Sequence, residues 1–229
     1  MYLSRLLLNP RHRDVQRDLS DLQAMHRTLM AAFPLVQDAA SARAELGVLY
    51  RLETDLNAGS PAILVQSGTA PQWSALPSGY LSQYIGADQQ NPAFKELEPL
   101  LAALKSGMSL RFRLRANPTK KVATKTGEDG RKRNGTRADL RDEEAQRAWL
   151  HRKGEHHGFV VLGVRLADEP LQTGRHRGQG EARRLTVASV LYNGILRVTD
   201  LALFQEALES GIGPAKAYGC GLLSVGPIA

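Results

Sequence analysis

The chain reads as an α+β protein made of two tandem ferredoxin-like (RRM-like) β-α-β-β-α-β units. Two observations predict this. The order of element types runs strand, helix, strand, strand, reaches a broken middle, and then repeats with a helix and strand to finish. The length, 229 residues at 42% hydrophobic content, suits one large domain or two small ones, and either buries a core. The expected division is a first unit at 1–90, a linker at 91–107 and a second unit at 108–229. No repeat is visible residue by residue, so the pattern is one of element types alone.

Tyr2 to Leu8 is rich in aliphatic residues and reads as a buried strand. Ser20-Asp21-Leu22-Gln23 has the Ser-x-x-Gln form of a capping box, which places a helix start at Ser20. Leu22, Met25, Leu29 and Phe33 recur at helical spacing, and Pro34 ends the element. Leu46 to Leu52 and Ala62 to Gln66 read as strands around a turn at Asn57-Ala58-Gly59-Ser60-Pro61. Between 68 and 106 the prolines and glycines leave only short helices, near Tyr80 and over Leu97 to Leu104. Ser109 to Arg115 alternates strictly, which sets Leu110, Phe112 and Leu114 on one strand face and Arg111, Arg113 and Arg115 on the other. A basic loop follows from Asn117 to Arg137, then a helix from Asp142 to Lys153 with Ala145, Ala148 and Trp149 inward, and a strand from Phe159 to Leu166. Residues 171–184 form a second loop rich in glycine and arginine. Leu185 to Tyr192 and Ile195 to Val198 then make a hairpin around Asn193-Gly194. A helix from Asp200 to Ser210 leads to the C-terminal segment.

Charge narrows the function. The net charge is +7, yet residues 111–137 alone hold ten basic and two acidic side chains, a net +8. A field so localised points to a polyanion, most simply a nucleic acid, against the alternative of a solvated basic loop. Aromatic residues make up only 6%, so backbone contact to a structured RNA fits better than stacked bases. No apolar run approaches the roughly 20 residues of a membrane span, and the first eight residues are too short for a signal peptide. Cys220 is the single cysteine, which excludes an intramolecular disulfide and a multi-cysteine zinc site, and a cytoplasmic protein is expected.

Gly211-Ile212-Gly213-Pro214-Ala215-Lys216-Ala217-Tyr218-Gly219-Cys220-Gly221 carries four glycines and one lysine ahead of a closing apolar strand. Exposed backbone N–H groups beside Lys216 would form a concavity for phosphate oxygens. The alternative is a tight glycine-bearing turn. Neither a Walker loop nor a dinucleotide fingerprint is present, because the spacing and the following elements are wrong for both.

Several of these segments resemble one family. Met1-Tyr2-Leu3-Ser4, Met25-His26-Arg27-Thr28-Leu29, Phe112-Arg113-Leu114-Arg115-Ala116-Asn117-Pro118, Ala148-Trp149-Leu150, Gly211 to Ala217 and Gly219 to Ser224 are similar to the CasE family. These are the CRISPR repeat-RNA endoribonucleases of type I-E Cascade complexes. The resemblance runs the length of the chain. It implies two ferredoxin-like domains and metal-independent cleavage at the base of the repeat stem-loop, with no cofactor. It also implies 5′-hydroxyl and 2′,3′-cyclic phosphate ends, and partners comprising CRISPR repeat RNA and the other Cascade subunits.

Such chemistry needs a route for the proton of the attacking 2′-hydroxyl, a donor for the 5′-oxygen, and positive charge at the phosphate. Histidine is the natural proton carrier. Spacing alone sets His26 inside the apolar arc of its helix, as a core histidine would be, whereas the family's catalytic histidine maps onto it. Well-known members carry a tyrosine one turn earlier, where this chain has Gln23, an amide that positions but transfers no proton. Tyr218 is the candidate replacement, with packing as its alternative role. The expected RNA contacts are Arg27, Arg111, Arg113, Arg115, Asn117, Lys120, Lys121, Arg175, Arg177, Arg183, Arg184, Gly213, Lys216 and Gly219, with one basic loop reading the stem's groove. His12 and His156-His157 read as solvated, and His151 as a partner of its helix's negative end. A non-catalytic hairpin-binding subunit and a nucleotide-dependent enzyme are the alternatives.

Overall fold

The structure is a computed structural model, and it describes residues 1–38, 41–53, 60–83, 90–122, 137–176 and 183–228. The first sheet holds β1 (Tyr2–Leu7), β2 (Leu49–Glu53), β3 (Ala62–Ser67) and β4 (Ala93–Glu96) in the order β2-β3-β1-β4, every pairing antiparallel. Between β1 and β2 lie α1 (Arg13–Ser20), α2 (Leu22–Met30) and the short α3 (Ala42–Glu45). Leu6, Met25, Leu29, Tyr50, Ile63 and Tyr80 fill the core where α2 crosses this sheet. β4 comes from the segment expected to be linker, since its backbone completes the edge of β1.

α4 (Glu98–Ala103) then leads to the second sheet, formed by β5 (Ser109–Ala116), β8 (Phe159–Asp168), β11 (Val190–Val198) and β12 (Leu223–Gly226) in the order β12-β5-β11-β8, again antiparallel. α5 (Glu143–His156) and α6 (Leu201–Ser210) cover it, burying Phe112, Leu114, Trp149, Leu150, Tyr192 and Phe204. Ala148, expected inward on α5, is exposed. Two small ribbons complete the architecture: β6 (Thr119–Lys121) with β7 (Arg137–Asp139), and β9 (Gln172–His176) with β10 (Arg183–Val187). Both basic loops are therefore hairpins at their bases, while 123–136 and 177–182, including Arg177, lie outside the described residues. Most of the turn expected at 57–61 also lies outside them.

Local signals were overruled at three places. Ser20 ends α1 and turns its hydroxyl back to the Arg17 carbonyl at 2.8 Å; Asp21 caps α2 instead, accepting from the Gln23 and Ala24 amides at 2.9 and 3.2 Å. Asn193-Gly194 is no turn but the middle of β11, flanked by β5 and β8. A Cβ on Gly194 would stand 2.1 Å from the Gly163 carbonyl oxygen and 2.9 Å from Phe112, so close strand approach is what demands glycine. Near Tyr80 there is a turn in place of a helix, with the Tyr80 phenol donating to buried Asp18 at 2.9 Å. His12 caps α1, its Nδ1 accepting from the Asp14 amide at 3.2 Å and its Nε2 bonding the Ser78 carbonyl at 3.1 Å. A solvated role for it is thereby replaced by a structural one.

Candidate functional site

The site forms where α2 meets the C-terminal loop. Leu22, Val187 and Cys220 make a small buried cluster there, with Leu185, Ala215 and Tyr218 packed against it. It ties together α2, β10 and the loop, parts far apart in sequence. Burial, only partly countered by the Arg115 guanidinium, pushes the Cys220 thiol up to about 12, so it packs as an apolar group. β9 lies against the first turn of α2 so closely that a Cβ on Gly174 would be 3.2 Å from the Gln23 amide nitrogen. The hairpin carrying Arg175, Arg183 and Arg184 is thus anchored beside α2 by its backbone.

The loop is a succession of positive-φ residues: Gly211, Gly213, Ala215, Gly219 and Gly221, with φ from 60° to 92°. Glycine is needed for conformation at four of these, and for space as well. A Cβ on Gly211 would meet Leu49 at 2.8 Å, one on Gly213 would meet Trp149 at 3.0 Å, and one on Gly219 would meet Tyr50 at 3.2 Å. The tight-turn reading of the stretch is therefore correct in its geometry. The turn in turn presents a single 3₁₀ segment, Lys216–Tyr218, held by the Tyr50 phenol donating to the Ala217 carbonyl at 3.1 Å.

That segment delivers Tyr218 to α2. Its phenol donates to Gln23 Oε1 at 3.2 Å, and its ring meets the His26 imidazole edge-on, centroids 6.4 Å apart at 67°. His26 is half-buried and opens onto a cavity of about 360 Å³, which Gln23, Arg27, Met30 and Phe33 also line. It is not sealed in the core, where its neighbours Met25 and Leu29 reside. Burial and then the Arg43 guanidinium depress its pKa, so the imidazole is neutral near pH 7. Burial raises that of Tyr218, which keeps its proton. Lys216, at the other end of the 3₁₀ segment, is half-buried and lowered by burial, then by Arg43 and Lys153. A neutral imidazole and a protonated phenol thus meet from distant parts of the chain, and Arg43 acts on both His26 and Lys216.

Other expected RNA contacts are placed differently. Arg115 is 3% exposed and forms a two-pronged ion pair with Glu169, Nη2 to Oε1 at 2.7 Å. Buried in that pair, its guanidinium is not presented to a phosphate. Asn117 is buried and donates to Asp139 at 3.1 Å and the Ala188 carbonyl at 2.6 Å, a role in fixing β6 and β7. Gly219 is buried under Tyr50 and shapes the loop. Arg113 is engaged by Glu53 at 2.8 Å and Asn193 at 2.7 Å, and Arg111 by the Pro227 carbonyl at 2.8 Å. Arg27, Lys120 and Lys121 are exposed, and Gly213 lines a cavity shared with Lys121 and Lys216.

The whole chain matches one family. The family model for CRISPR associated protein matches residues 1–227. The CRISPR-associated endoribonuclease Cse3 of Thermus thermophilus is 37% identical over 235 residues, covering 99% of this chain and all of that one. The CRISPR system Cascade subunit CasE of Escherichia coli is 30% identical over 236 residues, covering both chains completely. The chain is a member of the CasE family. A solved structure of CRISPR endoribonuclease Cse3 bound to 19 nt RNA superposes with a TM-score of 0.78 at 36% identity, covering 99% of this chain and all of that one.

Within this CasE-family chain, two sets of cations escaped the sequence reading. Arg43 lies in α3 and donates to the Val48 carbonyl at 3.1 Å, and no carboxylate among the described residues pairs with it. Its sequence context, a short polar segment, gives no sign that it faces His26. Arg152 and Lys153, with His156 and His157, line the same cavity as Lys216, whereas their spacing alone fits cations at a helix's negative end.

Proposed function

We propose that the chain is a metal-independent endoribonuclease that binds the stem-loop of CRISPR repeat RNA, cuts at its base and stays on the product as a Cascade subunit. The observation that carries this is the meeting of His26 with Tyr218, 192 positions apart in sequence, beside Lys216 and Arg43. The Cse3 and CasE relatives, an endoribonuclease and a Cascade subunit by name, support it. Each sheet has the order 4-1-3-2 when its own strands are numbered in sequence, as a ferredoxin-like unit requires, and we assign two such domains on that basis. In the first of them a 3₁₀ turn at Trp73–Ala75 stands in place of the second helix. A β4 boundary moves the domain division to about residue 97, with α4 as the connection. The site of action is the cytoplasm, where precursor RNA is made.

Neutral His26 accepts the proton of the 2′-hydroxyl, whose oxygen attacks the adjacent phosphorus and closes the 2′,3′-cyclic phosphate. The bond from phosphorus to the 5′-oxygen breaks, and that oxygen takes the phenolic proton of Tyr218, leaving a 5′-hydroxyl. Solvent then returns a proton to the phenolate and removes one from the imidazolium. Lys216, Arg43 and Arg27 supply positive charge as the pentacoordinate phosphorus gains negative charge. Gln23 holds the phenol in reach beforehand.

Incubating end-labelled repeat RNA with the protein in EDTA tests the reading. A single cut leaving a cyclic phosphate and a 5′-hydroxyl is expected; tight binding of an RNA that stays intact establishes the hairpin-binding subunit instead. Tyr218→Phe is expected to slow single-turnover cleavage by roughly 10²-fold, the low end for a lost acid or base, with hairpin affinity unchanged. An unchanged rate makes Tyr218 a packing residue.

The pH profile follows from the His26 environment. Under limiting protein, cleavage reports the free enzyme's groups, and the rate rises as His26 loses its proton. The midpoint is expected below the ordinary 6.5, since burial and Arg43 both disfavour the imidazolium. Arg43→Gln removes the repulsion and moves the midpoint upward, while burial, the larger cause, keeps it under 6.5. A midpoint that stays put or falls shows that Arg43 does not act on the base.

A further inference from the structure

A cavity of about 400 Å³ is lined by Lys216, the first residue of the 3₁₀ segment whose last residue, Tyr218, meets His26. Lys121 of β6, Arg137 of β7, and Arg152, Lys153 and His157 at the end of α5 line it too. The C-terminal loop closes it with Gly213 and Pro214. Among the described residues none of the lining side chains is a carboxylate.

The negative end of α5 accounts for part of this charge, because Arg152, Lys153 and His156 fall in its last turns. It does not account for Lys121, Arg137 and Lys216, which reach the same space from three other segments. Holding like charges together costs free energy, and the cost is visible: burial first, then Arg152 and Arg137, lowers the Lys153 pKa. His157 is lowered by burial and then by Lys153 and Lys216. Lys153 Nζ is steadied over the Trp149 ring, 5.9 Å from its centroid, a cation–π contact that aims it without neutralising it. Such a cluster is arranged for an anion that arrives from outside. Its volume falls at the low end of ligand cavities, which span roughly 300–1,000 Å³.

Position fixes what the anion is. A 3₁₀ segment rises about 2 Å per residue, so Lys216 and Tyr218 sit about 4 Å apart along its axis. A nucleic-acid strand whose scissile phosphate lies at His26 and Tyr218 must run its neighbouring phosphates past Lys216. We infer that this cavity is a backbone-phosphate subsite for the RNA residues adjoining the scissile bond, with Arg152, Lys153, Arg137 and His157 as unassigned RNA contacts. The inference rests on the endoribonuclease reading. The phosphates belong either to the base of the stem or to the single strand flanking it.

The test is a salt titration of binding by wild type and by the Arg152→Gln, Lys153→Gln double variant, whose melting temperature is compared to confirm folding. Two RNAs are used: the product hairpin ending at the cut, and a longer repeat RNA made uncleavable by a 2′-deoxy substitution at the scissile residue. The variant is expected to bind more weakly, with the slope of log K against log salt flattened by roughly one for each phosphate it no longer neutralises. Flattening on the longer RNA alone assigns the cavity to the flank, and equal flattening on both assigns it to the stem. Wild-type affinity and slope on both RNAs overturn the subsite. A wild-type protein that binds neither RNA sinks the endoribonuclease reading, and the subsite with it.

Discussion

Replacing His26 with alanine is expected to stop cleavage of the repeat RNA and leave its binding nearly intact. A lost acid or base costs roughly 10²–10⁴-fold, or about 3–5 kcal/mol of transition-state stabilisation. The imidazole is neutral near pH 7, held so by burial and Arg43, and therefore contributes no charge to phosphate recognition. Affinity for the hairpin and the salt dependence of binding should stay at wild-type values, because the exposed cations Arg27, Lys120 and Lys121 are untouched. The measurement is single-turnover cleavage at saturating protein, read beside an equilibrium binding curve. Loss of both activities together points to a folding role for His26, and a rate within a few-fold of wild type removes it from the chemistry. Tight hairpin binding also disposes of a nucleotide-dependent enzyme, if ATP and NAD fail to bind.

How far the sequence could carry this depends on what each signal encodes. The alternation of β5 correctly sends Leu110, Phe112 and Leu114 into the core. Period two says which residues share a face, but not what covers that face. Arg111 remains exposed while Arg115, four residues on, is buried and paired with Glu169. The Asn193-Gly194 pair failed for a related reason. Its local preference for a turn is outweighed when strands close in on both sides and only glycine fits.

At the site, the residue types were legible and their arrangement in space was not. A histidine with a missing tyrosine partner raises the question of another phenol, and Tyr218 does reach Gln23. Helical spacing nevertheless placed His26 in the apolar arc, since a residue at the arc's edge is either covered or open according to elements elsewhere in the chain. Arg43 and the α5 cations were unreadable as site residues because their partners in space come from separate segments.

Arg51→Ala is expected to be the most destabilising single change in the molecule's central joint. Arg51 is 2% exposed and belongs to β2, yet its Nη1 donates to the Arg113 and Leu222 carbonyls of the second half, each at 3.1 Å. Its Nε and Nη2 hold Glu53 at 2.7 and 2.6 Å, and Glu53 in turn pairs with Arg113. Burial pushes the guanidinium pKa down against the opposing pull of Glu53. Removing one partner of such a buried pair costs about 3–5 kcal/mol, because the carboxylate and the carbonyls lose their donor without regaining water. For a chain of this size each kcal/mol lowers the melting temperature by roughly 2–4 °C, which gives a fall of roughly 6–20 °C. Arg51→Lys keeps the charge but loses the planar fork, and should fall between the two. Gln66, donating to the Leu208 carbonyl at 2.5 Å, the Tyr50–Ala217 and Tyr218–Gln23 bonds, and the Arg113–Glu53 pair are further polar ties across the joint. Since the halves have separate cores, weakening the joint should also broaden or split the melting transition. Cleavage should suffer well below that temperature: the Tyr50 bond that sets the 3₁₀ segment lies one residue from Arg51, and any opening there withdraws Tyr218 from His26. A variant that melts within about 2 °C of wild type, less than a single kcal/mol commands, would show that Arg51 does not hold the two halves together.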